Sequence, residues 1–345
     1  MLPMNEVPDD TIGEPRATLR LFGHEDAERT LLDAYRSGRM PHAWLIGGPE
    51  GIGKATLAYR MARFVLAHPD PDASAVQKAQ TLDVPADHSV AGKVASQSHP
   101  DLLVMERTIG DTGKLRQNIV IEDVRRSVGF FGATAGEGGW RVAIVDSVDE
   151  LNAAGENAIL KSLEEPPVRS LLFLVAHAPG RVLPTIRSRC RKLILRPLPD
   201  TVVAEALGAM TGKGMNDNDV LSAASLAEGS IARALALLDE DTLQLRKSVE
   251  ALLEQLPAID PRALHVLGDA LGGADQRAFS AFTDTVNAWL SARLRKGPQD
   301  APRLARLAEA WDRTNRASAE AQAFNLDRKP LIFSIFGQLA EAAAG

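Results

Sequence analysis

The sequence is poor in several features that would point to a specialised class of protein. It holds a single cysteine, Cys190, among 345 residues, which excludes a framework of internal disulfides and a zinc site built from several cysteines. The formal net charge is −6, so the chain lacks the overall basic excess typical of nucleic-acid-binding proteins, although local contact with DNA stays open. It also lacks a stripe in which basic and aromatic residues alternate, the pattern that would favour direct contact with bases.

Long apolar runs are missing as well. None approaches the roughly 20 residues that a membrane-spanning helix needs. The segment 1–15 is acidic and contains proline, without the basic start and apolar stretch of a secretory signal. An apolar fraction of 45% and a charged fraction of 24% are ordinary for a soluble globular protein. We therefore expect a cytoplasmic protein.

Short apolar runs alternate with amphipathic stretches in the first part of the chain. The runs that favour buried strands are 41–46, 101–105, 118–121, 141–146 and 171–175. The stretches that favour helices are 26–35, 54–66, 122–131 and the one that ends at Glu165. This alternation predicts a parallel sheet covered on both faces. Segment 68–99 has weak periodicity and is interpreted as an insertion or loop. The strand signal disappears after Leu195: Pro197 and Pro199 mark a linker, 201–238 is predicted to be a small helical unit, and the chain is again predicted to be helical from about 242 onward.

A glycine-rich segment, Gly48 to Ala55, lies between a predicted strand and a predicted helix. It follows the phosphate-loop pattern G-x-x-x-x-G-K-[ST] at all but the last position. In such a loop backbone N–H groups surround phosphates, and the helix dipole favours their negative charge. Lys54 would reach the β- and γ-phosphates, whereas Ala55 replaces the hydroxyl that ligates Mg²⁺. Thr56 lies about 100° further round the helix and does not replace that hydroxyl cleanly.

A second motif is the apolar run that ends in Asp146, as in the strand whose aspartate holds the Mg²⁺ shell of P-loop enzymes. Without the glycine-rich loop upstream, a helix or turn cap at the strand end would be the favoured interpretation of this aspartate. Relatives that hydrolyse ATP usually have a glutamate next, but here Ser147 stands there, and Asp149 and Glu150 lie past the strand end. Losing both the metal ligand and the water-activating carboxylate predicts negligible hydrolysis. The candidate residues of this degenerate nucleotide site, whose occupancy stays open, are Gly48, Gly51, Gly53, Lys54, Thr56 and Asp146.

Two further strings carry a resemblance to a known family. They are N-A-I-L-K-S-L-E-E-P-P at 157–167 and the triplet Ser188-Arg189-Cys190. Together they closely resemble the bacterial clamp-loader subunits of the AAA+ superfamily, and the imperfect P-loop is similar to that of the delta-prime type in DNA polymerase III. The resemblance covers about residues 20–240 well and the helical remainder loosely. It implies an α/β P-loop (AAA+) core with a helical lid and an all-α C-terminal domain. The implied division is a flexible N-terminus at 1–16, the core at 17–197, the lid at 198–241 and a helical collar for oligomerisation at 242–345.

The resemblance implies a role for one arginine. Arg189 would be an arginine finger, offered in trans to ATP bound by a neighbouring ATPase subunit. A guanidinium suits this role because it stays charged and spreads its donors over the γ-phosphate oxygens. Without the family context, Arg187, Arg189 and Arg191 are equally well explained as a solvated basic turn. Ser188 and Cys190 are interpreted as structural, since no histidine partner for the thiol is evident.

Two departures from the family pattern concern cofactors. Relatives often hold four cysteines that bind structural zinc after the P-loop helix, but 67–98 contains none. We expect no zinc, because the histidines of this region are too scattered to replace the cysteines: His68, His88 and His99. The arginine that senses nucleotide in ATPase relatives is replaced by Ala232, and Arg233 is displaced by one position, so it projects differently from a helix.

These features imply a non-hydrolysing clamp-loader subunit within the DNA polymerase III holoenzyme, requiring no cofactor. Its partners would be ATPase subunits and a delta subunit in a hetero-oligomeric ring, and, through that complex, the sliding clamp and primer–template DNA. The isolated chain is expected to have neither ATPase nor polymerase activity. The alternative is an active clamp-loader ATPase with its own turnover, against which Ala55, Ser147 and Ala232 all argue. An unrelated P-loop kinase is disfavoured because no acceptor-site signature accompanies the loop.

Overall fold

The structure is a computed structural model that describes residues 13–108, 116, 119, 129–131, 139–272, 276–296, 301–324 and 326–344. The chain divides into two compact units. The first unit is Met1–Asp217 with Glu228–Ala232, and the second unit is Asn218–Ala227 with Arg233–Gly345. The predicted domain boundaries within the chain stay a prediction.

The first unit is built around a parallel sheet. Its five strands are β1 (Ala43–Gly47), β2 (Leu102–Glu106), β3 (Arg141–Asp146), β4 (Ser170–Ala176) and β5 (Arg191–Ile194). They are ordered β2-β3-β4-β1-β5, and each neighbouring pair is parallel. The inner strands are buried almost throughout, which explains why the sequence shows them as continuous apolar runs.

Helices cover both faces of this sheet. They are α1 (Glu25–Arg36), α2 (Lys54–Ala67), α3 (Ser74–Lys78), α4 (Ser89–Ala95), α5 (Ala153–Glu164) and α6 (Pro184–Arg189). The unit also contains α7 (Asp200–Thr211), which follows β5 in the chain. Successive strand residues contribute to two separate apolar clusters: Trp44 and Ile46 to one, Leu45 to the other. The clusters therefore lie on opposite faces, since side chains of a strand alternate. α5 ends at Glu164, one residue before the predicted end at Glu165, and the two prolines follow.

Segment 68–99, interpreted from sequence as an insertion or loop, contains α3 and α4 and belongs to the core. Its buried side chains join the cluster that also holds α2, and they are Val76, Leu82, Val84, Val90 and Val94. Arg60 on α2 anchors the segment: Nη2 donates to Asp83 Oδ1 at 2.7 Å, and Nε donates to Glu28 Oε1 at 3.1 Å. Helices of only five and seven residues are too short to show a helical period in the sequence.

Two parts of the first unit differ from the sequence predictions or lie outside the described residues. β5 was not predicted, because a four-residue edge strand that begins Arg191-Lys192 lacks an apolar run. The predicted strand 118–121 and most of the predicted helix 122–131 lie outside the described residues, although Ile119 is buried.

The remaining helices are α8 (Asn218–Leu226), α9 (Ile231–Leu238), α10 (Glu240–Glu254), α11 (Pro261–Gly272), α12 (Gln276–Lys296), α13 (Ala301–Phe324) and α14 (Arg328–Ala344). On α12 four apolar side chains at helical spacing are buried in one cluster: Phe279, Phe282, Val286 and Leu290. In the described part of the chain β5 is the last strand. The predicted fold class, an α/β P-loop core followed by helical lid and C-terminal regions, is confirmed. Within the described ranges, no helix combines the length and apolarity that crossing a membrane requires.

Candidate functional site

The glycine-rich segment forms the turn between β1 and α2, at the carboxyl edge of the sheet. Gly48, Gly51 and Gly53 have φ angles of 148°, 74° and 101°, where other residues are strained. Space is also restricted. A Cβ on Gly48 would lie 2.6 Å from the Leu195 carbonyl oxygen, and one on Gly51 would lie 2.2 Å from Ser230 Oγ. Glycine is therefore required both by backbone conformation and by close neighbours.

The carbonyl groups of this turn are bound by the chain itself. The Ala232 N–H donates to the Gly51 carbonyl at 3.2 Å. His24 Nε2 lies 2.9 Å from the Ile52 carbonyl oxygen, and since a carbonyl only accepts, this nitrogen carries the proton. Burial lowers the pKa of His24, which favours the neutral ring. The residue in the position of the nucleotide-sensing arginine, Ala232, thus braces the loop through its backbone.

Lys54, the first residue of α2, is turned into the protein. Only 3% of the residue is exposed, and Nζ donates to the Pro49 carbonyl within the same turn. Burial lowers the pKa of Lys54 to about 8, although the charges of Asp146, Glu50 and Asp149 favour its protonated form. The ammonium group is therefore held at a cost in solvation.

Asp146 ends β3 and faces the same region. Burial raises its pKa to about 6; His177 and Lys54 oppose this shift, while Glu106 adds to it. Glu106 ends β2 in register with Asp146, so two carboxylates meet at one edge of the sheet. The Glu106 Oε1 accepts from Gln97 Nε2 at 3.0 Å. Sequence reasoning found Asp146 but missed Glu106 and His177, which only strand order brings near it.

A buried apolar residue, Ala55, stands at the position of the Mg²⁺ ligand. Ala55 is buried and its side chain belongs to the apolar cluster on the α2 face of the sheet. Thr56, one position later, is half-buried on α2. A methyl group has no lone pair to offer a metal, so the residues present do not fit the magnesium–ATP arrangement of P-loop enzymes.

The position of the water-activating glutamate holds a serine, Ser147, and therefore supplies no carboxylate. Ser147 is buried, and its hydroxyl finds no hydrogen-bond partner among the residues that the structure describes. Asp149 accepts from the backbone N–H groups of His177 at 3.1 Å and Ala178 at 2.7 Å. Burial opposes ionisation of Asp149, but these donors outweigh it and lower its pKa. Glu150 pairs with Arg107, Oε2 to Nε, at 2.8 Å. Both nearby acids are thus engaged elsewhere.

Arg233, the displaced candidate for the sensing arginine, is engaged within the second unit. Its Nη2 lies 2.7 Å from Asp284 Oδ1 on α12.

Arg189 is the last residue of α6, with 37% of its side chain exposed. Nη1 donates to the Thr185 carbonyl at 2.9 Å, and Nη2 donates to Glu164 Oε1 at 2.8 Å. The flanking residues are structural in character: Ser188 Oγ donates to Thr185 O at 3.0 Å, and burial raises the pKa of the Cys190 thiol to about 12. Such a thiol is inert near neutral pH.

The scattered histidines of 68–99 have separate structural partners. His88 caps α4, with Nδ1 accepting from the Val90 N–H at 3.2 Å, and His99 Nδ1 accepts from the Asp101 N–H at 3.1 Å. Over the described residues, no group of three or more His, Cys, Asp or Glu side chains is arranged to hold a metal ion. The absence of zinc stays a prediction.

Sequence similarity to known proteins identifies the family to which this chain belongs. The family model described as "DNA polymerase III, delta subunit" matches residues 23–199. The DNA polymerase III subunit delta′ of Pseudomonas aeruginosa is 32% identical over 64% of this chain and 64% of its own length. That of Escherichia coli is 30% identical over 67% of this chain and 64% of its own length. The chain thus matches slightly less than two thirds of the length of these relatives.

Among solved structures, a DNA polymerase III gamma subunit-related protein from Thermotoga maritima aligns over 91% of this chain and 99% of its own, with 16% identity and a TM-score of 0.46. That likeness is too low to support an argument. The family match does support one, because it spans slightly more than half of the chain. The chain belongs to the DNA polymerase III delta-prime family.

Proposed function

We propose that the chain is a delta-prime-like subunit of the DNA polymerase III clamp loader. It hydrolyses no ATP itself, supplies Arg189 to ATP bound on a neighbouring ATPase subunit, and helps to load the sliding clamp onto primed DNA. Its partners are the ATPase subunits and a delta subunit in a hetero-oligomeric ring, and it works in the cytoplasm. It contacts the clamp and primer–template DNA as part of that complex and requires no zinc or nucleotide of its own.

The loss of hydrolysis is supported at three positions of one site. Ala55 packs its methyl group into the core, Ser147 is buried without a carboxylate, and Ala232 braces the Gly51 carbonyl through its N–H. Each position would carry a working group in an ATPase of this class. Groups that act as a unit fail together, so the joint loss predicts negligible turnover.

The observation that carries the positive role is the placement of Arg189. Its guanidinium lies at the surface, at the end of α6, and makes two hydrogen bonds among the described residues, which leave three of its five N–H donors without a partner in that part of the chain. An arginine finger needs such an accessible, permanently charged donor set, because it must meet the developing charge on a phosphoryl group from outside.

The experiment that tests this role is reconstitution of the clamp loader with Arg189→Ala. We expect ATPase activity stimulated by primed DNA and clamp to fall by about 10-fold or more, since a finger contributes on the order of 10³ to 10⁵ at the site that it serves. Arg187→Ala, two residues away, is the matched control and should retain the activity. Unchanged ATPase with Arg189→Ala would refute the trans role.

The alternative, an ATPase with its own turnover, makes the opposite prediction for the isolated chain. Purified protein hydrolysing ATP at a rate comparable to an ATPase subunit would establish it. The partnered state of Asp149 and Glu150 argues against it, because these two acids, which follow Ser147 in the chain, are already engaged by backbone N–H groups and by Arg107.

A further inference from the structure

An ion pair joins the ends of two helices on the surface of the first unit. Arg189 Nη2 lies 2.8 Å from Glu164 Oε1, with side-chain exposures of 37% and 51% respectively. Glu164 is the last residue of α5, and Arg189 is the last residue of α6. Because 25 residues separate the partners in sequence, the pair depends on how the two helices pack.

The carboxylate occupies a position that a helix disfavours. The carboxyl end of a helix carries partial negative charge from its unpaired carbonyl groups, which repel an acidic side chain. Pro166 and Pro167 prevent α5 from continuing past this point. A guanidinium beside Glu164 offsets the repulsion, so the two side chains stabilise each other's placement.

The backbone beneath the pair is held by the core. Leu163 precedes Glu164 and is buried, and Ile186 on α6 is buried in the same apolar cluster. Both helices therefore rest on one face of the sheet, which fixes the distance between the Glu164 carboxylate and the end of α6. Side chains on such packed elements can be positioned more accurately than side chains on loops.

The pair also fixes the rotamer of Arg189 without consuming its donor capacity. One hydrogen bond goes back one turn to the Thr185 carbonyl, and the other goes across to Glu164. The Nε–H and one hydrogen on each terminal nitrogen make no further bond among the described residues. A long side chain that is held in advance loses less conformational freedom when it meets a phosphate.

We propose that Glu164 is a positioning residue for Arg189, an inference that rests on the trans role proposed above. Glu164 touches neither ATP nor the reacting atoms; it orients the guanidinium so that the unused donors point away from the subunit. Its loss should reduce the maximal rate of the complex and leave the apparent affinity for ATP unchanged, because the finger acts on the transition state.

The test is a set of reconstituted clamp loaders assayed for ATPase stimulated by primed DNA and clamp. We expect Glu164→Ala to lower kcat roughly 2- to 5-fold with an unchanged KM for ATP, the size that an exposed ion pair supports. Glu164→Gln keeps an acceptor oxygen and should recover part of the rate. Glu165→Ala removes the adjacent exposed glutamate of the same motif and should have no effect. Glu164→Ala added to Arg189→Ala should lower the rate no further.

The outcomes separate the inference from the proposed function. If Arg189→Ala leaves the rate unchanged, the trans role fails and the positioning role falls with it. If Arg189→Ala lowers the rate but Glu164→Ala matches Glu165→Ala, the trans role stands and the positioning role is wrong. A higher rate with Glu164→Ala would show that the pair restrains the finger. A further loss in the double variant would show that Glu164 acts by another route. Either result overturns the inference.

Discussion

Lys54 and Arg189 are two cations of the first unit in opposite environments. The Lys54 residue is 3% exposed, its Nζ is bonded to its own loop, and burial lowers its pKa to about 8. Arg189 has 37% of its side chain exposed, and three of its five donors make no bond to any residue that the structure describes. A cation that is buried and internally bonded serves its own fold, whereas one that is exposed and oriented is available to a partner.

The neighbours of each cation reinforce the difference. Around Lys54 the chain supplies its own hydrogen-bond partners to the loop, through His24 and the Ala232 N–H. Around Arg189 it supplies one carboxylate and one carbonyl that orient the side chain and leave it accessible. The phosphate loop of this chain is thus held by hydrogen bonds from within the fold, whereas the accessible guanidinium, that of Arg189, lies at the end of α6.

The first prediction tests the contrast between the two cations by removing each charge in turn. In a reconstituted clamp loader, Arg189→Ala should lower stimulated ATPase by about 10-fold or more. Lys54→Met keeps the length of the buried side chain and removes its charge, so it should change the rate by less than about 2-fold, since desolvation already disfavours that charge. Steady-state ATPase with primed DNA and clamp measures both. Equal losses for the two variants would show that the loop of this chain still works on nucleotide.

The second prediction compares two glycines with nearly the same backbone. Gly51 and Gly212 have φ angles of 74° and 71°, but a Cβ on Gly51 would lie 2.2 Å from Ser230 Oγ and 2.8 Å from Ala232 Cβ, while nothing lies within 4 Å of one on Gly212. Gly212→Ala should reduce the free energy of unfolding by about 1 kcal/mol through backbone strain alone. Gly51→Ala should cost roughly 2 to 4 kcal/mol, because overpacking is added. Urea unfolding of the isolated chain checks both.

Equal costs for the two glycine variants would contradict close bracing of the loop by residues 228–232. A circular dichroism spectrum of each folded variant in the absence of urea provides the control that both retain the native fold before unfolding is compared.

Much of the fold could be predicted from the sequence. Strand 141–146 was predicted at the residues where the structure has β3, since buried parallel strands are continuous apolar runs. The loop at Gly48 was predicted from residue types that a phosphate loop requires. What could not be predicted depends on contacts between distant residues. α3 and α4 are held by Arg60 and the core rather than by their own periodicity, and β5 is a strand only because it pairs with β1.

In the candidate site, too, some features are visible in the local sequence and others depend on contacts between distant residues. The sequence identified which working groups are missing, because Ala55 and Ser147 are visible as substitutions in a pattern. It could not show that Asp149 is already bonded to the backbone after β4, or that Glu164 reaches Arg189, since strand order and helix packing decide both. Local patterns reveal residue types, and only the packed structure reveals which of them are already engaged.

The third prediction compares two aspartates beside the loop whose pKa values are shifted in opposite directions. Burial raises the pKa of Asp146 from 3.8 to about 6, so the folded state binds more protons than the unfolded state between about pH 4 and pH 6, and the free energy of unfolding falls as pH rises through that window. Asp146→Asn should therefore stabilise the chain at pH 7, by up to about 3 kcal/mol, and by much less below pH 4.

Asp149 provides the matched variant of opposite sign. Its pKa is lowered, so its contribution to stability is present above the ordinary value of 3.8 and is lost as pH falls through the folded-state value. Asp149→Asn should destabilise the chain at pH 7 by about 1 to 2 kcal/mol, because charge-assisted bonds to the His177 and Ala178 N–H groups are weakened. Unfolding measured at pH 4, 5.5 and 7 checks both variants. The same pH trend in the two would refute the contrast.

The fourth prediction tests directly whether Ala55 alone separates this chain from an ATPase. Ala55→Ser completes the phosphate-loop pattern with a hydroxyl of nearly the same size. We expect no measurable gain in ATP hydrolysis by the isolated chain. Ser147 still stands in place of the water-activating base, and Ala232 still stands in place of the sensing arginine. Returning one catalytic group restores little activity when the groups work as a unit. Phosphate release from purified wild type and variant, with Thr56→Ser as the control at the neighbouring position, decides the matter. Turnover approaching that of an ATPase subunit would mean that the loss at Ala55 alone silences the site, and that the bracing of the loop by Ala232 is compatible with nucleotide entry.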